Sequence, residues 1–219
     1  MIATAGRLST LIAAAGLAIW AVQPRAHAGE ASPGCDIRPA TLCADANLED
    51  ARLARADLRM ADFANATLDG ADLRAARLDH ANFKRARLDK VDLRRATLVG
   101  ANMRRATLRQ ATLAEAKLDN AELRSAEFTK ADLRGAQLPG ADLADAKLEG
   151  AVMQRSVLTA ATLDRARLSM ADLRDSDLSG ASLRNSALRG ADLTGATLEG
   201  ADFTGADMRG CRGCPAAGR

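Results

Sequence analysis

The chain has 219 residues, with 31 Lys plus Arg against 28 Asp plus Glu and a net charge of +3. Four Phe, one Trp and no Tyr exclude an aromatic-rich core and a stacking platform for nucleic-acid bases. By length alone one ordinary domain is expected.

Residues 1–28 read as a secretory signal peptide. Arg7 supplies the positive start, Leu8 to Val22 the apolar run, and Ala26-His27-Ala28 a small-x-small cleavage site. The run is short for a membrane span, so cleavage after Ala28 is expected rather than a retained anchor. No Leu-x-x-Cys arrangement precedes Cys35 and no twin-arginine pair is present. The mature chain is expected in a bacterial periplasm or secreted, with no membrane attachment after cleavage.

Residues 29–45 hold Cys35 and Cys43; Cys211 and Cys214 follow the next segment. Four cysteines suit an oxidising compartment. They predict two local disulfides, Cys35–Cys43 and Cys211–Cys214, closing the two ends as caps. Ile37 and Leu42 repeat a five-residue step one residue out of phase with Leu48, which predicts an irregular first turn inside the cap.

From Leu48 to Met208 every fifth residue is Leu, Phe or Met: 26 Leu, four Phe and three Met. Two places before each stands a small residue, Ala in 29 cases, with Val91, Ser156, Ser176 and Ser186 as exceptions. An α-helix turns a step of five by roughly 140°, which leaves no apolar stripe. A flat strand flips each successive Leu to the opposite face. A chain that bends by about a right angle every five residues satisfies both columns at once. Each Leu and each Ala then points at one axis, and four pentapeptides close a coil of 20 residues.

The pattern resembles the pentapeptide-repeat family, whose consensus is A-(D/N)-L-x-x. It stands here as Ala56-Asp57-Leu58-Arg59-Met60, Ala71-Asp72-Leu73-Arg74-Ala75, Ala101-Asn102-Met103-Arg104-Arg105 and Ala191-Asp192-Leu193-Thr194-Gly195. The resemblance covers 46–210. It implies an all-β fold, a right-handed quadrilateral parallel β-helix (solenoid) of about eight coils of four pentapeptides. Residues 211–219 form a short C-terminal tail.

Stacking residues 20 apart lets the surface be read in columns. One inward ladder is Phe63, Phe83, Met103, Leu123, Leu143, Leu163, Leu183 and Phe203, with aromatics expected to plug its ends. Outside, Asp72 stands beside Arg74, Asp92 beside Arg94, Asp132 beside Arg134 and Asp172 beside Arg174. The order reverses at Arg77 and Asp79, Arg87 and Asp89, Lys117 and Asp119, and Lys147 and Glu149. Sideways neutralisation and no single-sign face are expected, since 46–210 carries 26 basic and 25 acidic residues. His80 is expected in a solvated corner.

No catalytic, cofactor or metal constellation is legible. The Cys211-x-x-Cys214 pair lacks the βαβ setting of a redox motif and the His of haem attachment, and zinc would need all four sulfurs together. Some members of the family imitate duplex DNA toward type II topoisomerases. That reading needs an acidic surface, a cytoplasmic location and a C-terminal dimerisation helix, none of which the sequence offers. The expectation is a non-enzymatic scaffold or protein-interaction module. Its partner is an unidentified protein and not nucleic acid, and its oligomeric state is open.

Overall fold

The computed structural model describes residues 35–215; the segment expected to be a signal peptide, with Trp20 and His27, lies outside them. Each residue that precedes a central Leu forms a parallel bridge with the residue 20 places on: Leu42 with Asp62, Asn47 with Thr67, Arg52 with Asp72, Asp57 with Arg77, and so on to Asp192 with Arg212. The chain is therefore a four-sided β-helix whose coil takes 20 residues. Each side contributes one bridged residue per coil rather than a long strand.

Three backbone hydrogen bonds make each rung, as in Phe63 N–H to Asn82 C=O at 2.7 Å, Asn82 N–H to Ala61 C=O at 2.8 Å and, from the corner, Asn65 N–H to Lys84 C=O at 3.0 Å. A further one closes the bend, Ala66 N–H to Phe63 C=O at 3.0 Å. The second residue of each bend has positive φ. All 35 such corners from Ala40 to Gly210 do so, 24 of them without glycine, at φ 53–61°. Left-handed backbone costs a non-glycine residue about 1–2 kcal/mol. One buried Leu per bend, at about 1.5–3 kcal/mol, offsets it.

The inward columns are buried from Leu53 to Leu193 except at Ala56, which is partly covered, and Phe63 stacks on Phe83 with centroids 5.1 Å apart. Ser156, Ser176 and Ser186 are tolerated in the Ala column because each hydroxyl donates to the carbonyl three residues earlier, at 2.7 Å. The first turn differs from the sequence expectation. Leu42 points outward at 77% exposure, while Cys43 takes the inward place at 2%. The five-residue phase thus starts one step earlier, on Cys43, and runs unshifted into Leu48.

Candidate interaction surfaces

The residue after each central Leu, Phe or Met has an outward amide that no rung captures, and the sequence supplies its acceptor in two ways. Where Asp or Asn precedes the central residue, its side chain takes that amide: Asp62 from Ala64 at 3.0 Å, Asp72 from Arg74 at 3.2 Å, Asn102 from Arg104 at 3.2 Å. Where Arg, Thr or Ser stands there instead, an Asp one coil below takes it. Asp69 accepts from Asp89 N–H, Asp79 from Val99 N–H, Asp89 from Arg109 N–H and Asp164 from Arg184 N–H, at 2.9–3.2 Å. The two charge orders are two solutions to one unsatisfied donor.

Ion pairing follows from this. On the Leu53 face Arg74, Arg94, Arg134 and Arg174 fork onto Asp72, Asp92, Asp132 and Asp172, as expected. Hydrogen bonds from Arg74, Arg134 and Arg174 hold Asp72, Asp132 and Asp172 below the ordinary carboxylate range, Asp172 at about 2. Elsewhere Arg59 and Arg209 also fork sideways, onto Asp57 and Asp207, but for the reversed-order pairs the sideways expectation fails. Arg87 reaches down to Asp69 at 2.6 Å, Arg77 to Asp57 at 3.4 Å and Lys147 to Glu127 at 2.6 Å. The Asp there already accepts an amide from the coil above, and the base finds the carboxylate beneath it.

The predicted site residues are distributed along the rod and not gathered. Cys35 and Cys43 have Sγ atoms at bonding distance, 1.92 Å with Cα atoms 4.9 Å apart. Cys211 and Cys214 are similarly placed, at 1.97 Å and 5.8 Å. Among the described residues no group of His, Cys, Asp and Glu is placed to hold a metal, and no helix is long and apolar enough to cross a membrane. The exposed His80 ring lies over Gly100, where a Cβ would come within 2.7 Å of Nδ1. Seven members of the predicted ladder, Phe63 to Leu183, are completely buried; Phe203 is not.

That exception marks the C-terminal end. Arg212 makes the last rung with Asp192, and Leu193 N–H donates to its carbonyl at 2.8 Å. Gly213 then falls where the next Leu would stand. A Cβ there would lie 2.6 Å from the Leu193 carbonyl carbon, so the bare backbone packs down and closes that side. The other three sides have no further coil among the described residues. Leu198, Phe203 and Met208 are only partly covered. Their amides, and the carbonyls of Ala196, Ala201 and Ala206, have no backbone partner among the described residues. The N-terminal end contrasts, with Leu48 at 8% and Leu53 at 0% exposure above the Cys35–Cys43 turn.

One edge carries Lys84 and Arg85, then Arg104 and Arg105, then Arg124, on three successive coils, all exposed. An open groove of about 730 Å³ lies on a different edge, floored by Ala54, Ala75 and Ala114 between Arg55, Arg74, Arg94, Arg95 and Glu115.

Comparison with known proteins agrees with this geometry. The family described as pentapeptide repeats matches in eight copies over residues 42–79, 71–110, 106–143, 141–180 and 176–212. The chain belongs to the pentapeptide-repeat family. No curated protein matches it. Among solved structures it is similar to HetL of the cyanobacterium Nostoc sp. strain PCC 7120, a pentapeptide-repeat protein involved in heterocyst differentiation regulation. That match has 30% identity and a TM-score of 0.46, over 75% of this chain and 88% of HetL. It is also similar to a trypsin-treated form of QnrB1, a plasmid-mediated fluoroquinolone resistance protein, at 20% identity and a TM-score of 0.64. There the match spans 78% of this chain and 90% of QnrB1. A pentapeptide-repeat protein of the Arabidopsis thaliana thylakoid lumen matches at 31% identity and a TM-score of 0.27, over 48% of this chain and 59% of the plant protein.

Proposed function

We propose that the chain is an exported, non-enzymatic scaffold or interaction module whose partner is a protein that completes the open C-terminal end. In this reading the coil winds right-handed in about eight turns, and the two cysteine pairs are disulfides that fix its ends. The observation that carries it is the three-sided edge, with unpaired amides and carbonyls around partly covered Leu198, Phe203 and Met208. An extended segment laid on such an edge gains backbone hydrogen bonds and buries the apolar section beneath. Support against catalysis comes from the carboxylates. Arginines hold Asp72, Asp132 and Asp172 below the ordinary range, opposite to the shift a general acid needs near neutral pH.

The alternative is the DNA-mimicking inhibitor or protector of topoisomerases. The likeness to QnrB1 is one of fold, and the basic middle of this rod has the wrong sign for a DNA mimic. A photo-cross-linking residue at Thr204, beside the open end, tests the proposal against the same residue at Thr67 on a lateral face. A discrete adduct in periplasmic extract from Thr204 alone is expected. Adducts from Thr67 alone, or none from either, contradict the end-on reading. Inhibition of DNA supercoiling by the purified chain would favour the alternative.

A further inference from the structure

Residues 84–109 carry nine Lys or Arg against two Asp, a net of +7 within little more than one coil. Stretches farther along the chain on either side are acidic: 36–72 holds eight acids against four bases, and 142–207 holds eleven against seven. Four of the nine, Lys84, Arg85, Arg104 and Arg105, stand on the edge between the Phe63 and Leu48 faces, and Arg124 continues it. Rung bonds stack its members directly, Arg85 N–H to Arg104 C=O and Arg105 N–H to Arg124 C=O, both at 3.0 Å. Two cationic columns therefore run along the edge, Lys84, Arg104 and Arg124 on one flank and Arg85 and Arg105 on the other, with a step of about 4.8 Å.

These charges differ from the paired arginines elsewhere. Among the described residues no carboxylate lies within ion-pair distance of Lys84, Arg85 or Arg105. Arg104 has only a loose contact with Glu122 at 3.4 Å, and Arg124 contacts Asp145 at 3.2 Å where the edge turns acidic. Asn82 and Asn102 stand where Asp stands in other coils, so the amide caps are kept without adding negative charge. Like charges stacked a rung apart disfavour the isolated protein and favour a counter-charge laid along them.

We propose that this edge binds a linear acidic polysaccharide of the polyuronate class. An extended polyuronate carries one carboxylate per sugar at a spacing close to one rung, and carboxylates on either of its flanks meet one of the two columns. Forked guanidinium contacts suit carboxylates. Nucleic acid fits less well, because Phe63, Phe83 and Phe128 are in the core, Phe203 lies partly covered at the far C-terminal end, and no aromatic stands on this edge for base stacking. The inference is independent of the end-on protein partner and of where the chain resides.

The test is titration calorimetry of the intact chain with polygalacturonate in about 50 mM salt, with dextran as a neutral control. Binding to polygalacturonate only is expected, weakening roughly tenfold or more as salt rises to about 200 mM. R85E/R105E should weaken it at least tenfold at an unchanged melting temperature, with the milder R85Q/R105Q intermediate. R155E, at an exposed corner on another edge, should leave it unchanged. Four results would overturn the proposal: no binding, equal binding of dextran, insensitivity to both Arg85/Arg105 variants, or tighter binding of oligothymidylate or phosphatidylglycerol vesicles.

Discussion

At the scale of single residues, the fold depends on positions that look unremarkable in a column of letters. Gly213 is the sharpest case. It shares its positive φ with Gly135, at 68° and 64°, yet a Cβ at 135 would meet nothing nearer than Glu115 Cγ at 3.9 Å. Gly135→Ala should therefore cost only the left-handed penalty, about 1 kcal/mol. Gly213→Ala adds a backbone collision with Leu193, so the last rung should open. Hydrogen exchange at the Leu193 amide reads this directly: fast exchange is expected in Gly213→Ala and native protection in Gly135→Ala. The inward Leu and Ala residues were legible in the sequence because their period admits one geometry. The place of Leu42 was not: its size suits an inward position, whereas Cys43, with its Sγ at bonding distance from that of Cys35, keeps the phase.

At the scale of one pentapeptide and its neighbours, the acid–base pattern was legible in the sequence, but the direction in which its members pair was not. Sideways pairing holds on the Leu53 face because Asp72, Asp132 and their equivalents cap an amide and accept an Arg fork at once. On the faces with reversed order the cap comes from the coil below, and so does the ion pair. Nothing in the spacing within one coil reveals that. The pairs bear on pH. Asp172 receives Arg174 and also Gln154 at 2.6 Å, and titrates at about 2 instead of 3.8. A depressed carboxylate contributes stability that is fully present above its unfolded pKa and is lost as pH falls through its folded one. The melting temperature should stay level from pH 8 to about 5 and decline between about pH 4 and 2. Asp172→Asn, which keeps an acceptor for the Arg174 amide but no charge, should show a smaller decline. A decline centred near pH 6 would contradict the assignment.

At the scale of the whole rod, each coil rests only on the coils before and after it, so damage is graded by position. Leu123→Asp places a charge in a fully buried mid-rod column and should cost well over about 4 kcal/mol, splitting the denaturation curve or abolishing folding. Leu48→Asp, near the N-terminal cap, should fray one end and leave the remaining coils melting together. The asymmetry of the ends and the basic waist were the parts the sequence hid. The tail cysteines suggested two equal caps, but among the described residues the C-terminal turn covers one side of four. The near-zero total charge concealed a positive band between two negative ones.

The account stands or falls on the 20-residue coil. Thr67 and Ala187 lie on one outward column, six rungs apart, and, the four native cysteines being paired in the proposed reading, Thr67→Cys and Ala187→Cys can be spin-labelled selectively. Double electron–electron resonance should give a single distance near 29 Å, six rungs of about 4.8 Å. An α-helical rod would separate the same residues by roughly 180 Å, beyond detection. A signal that is absent, or broad and far from six rungs, would contradict the coil and every surface built on it.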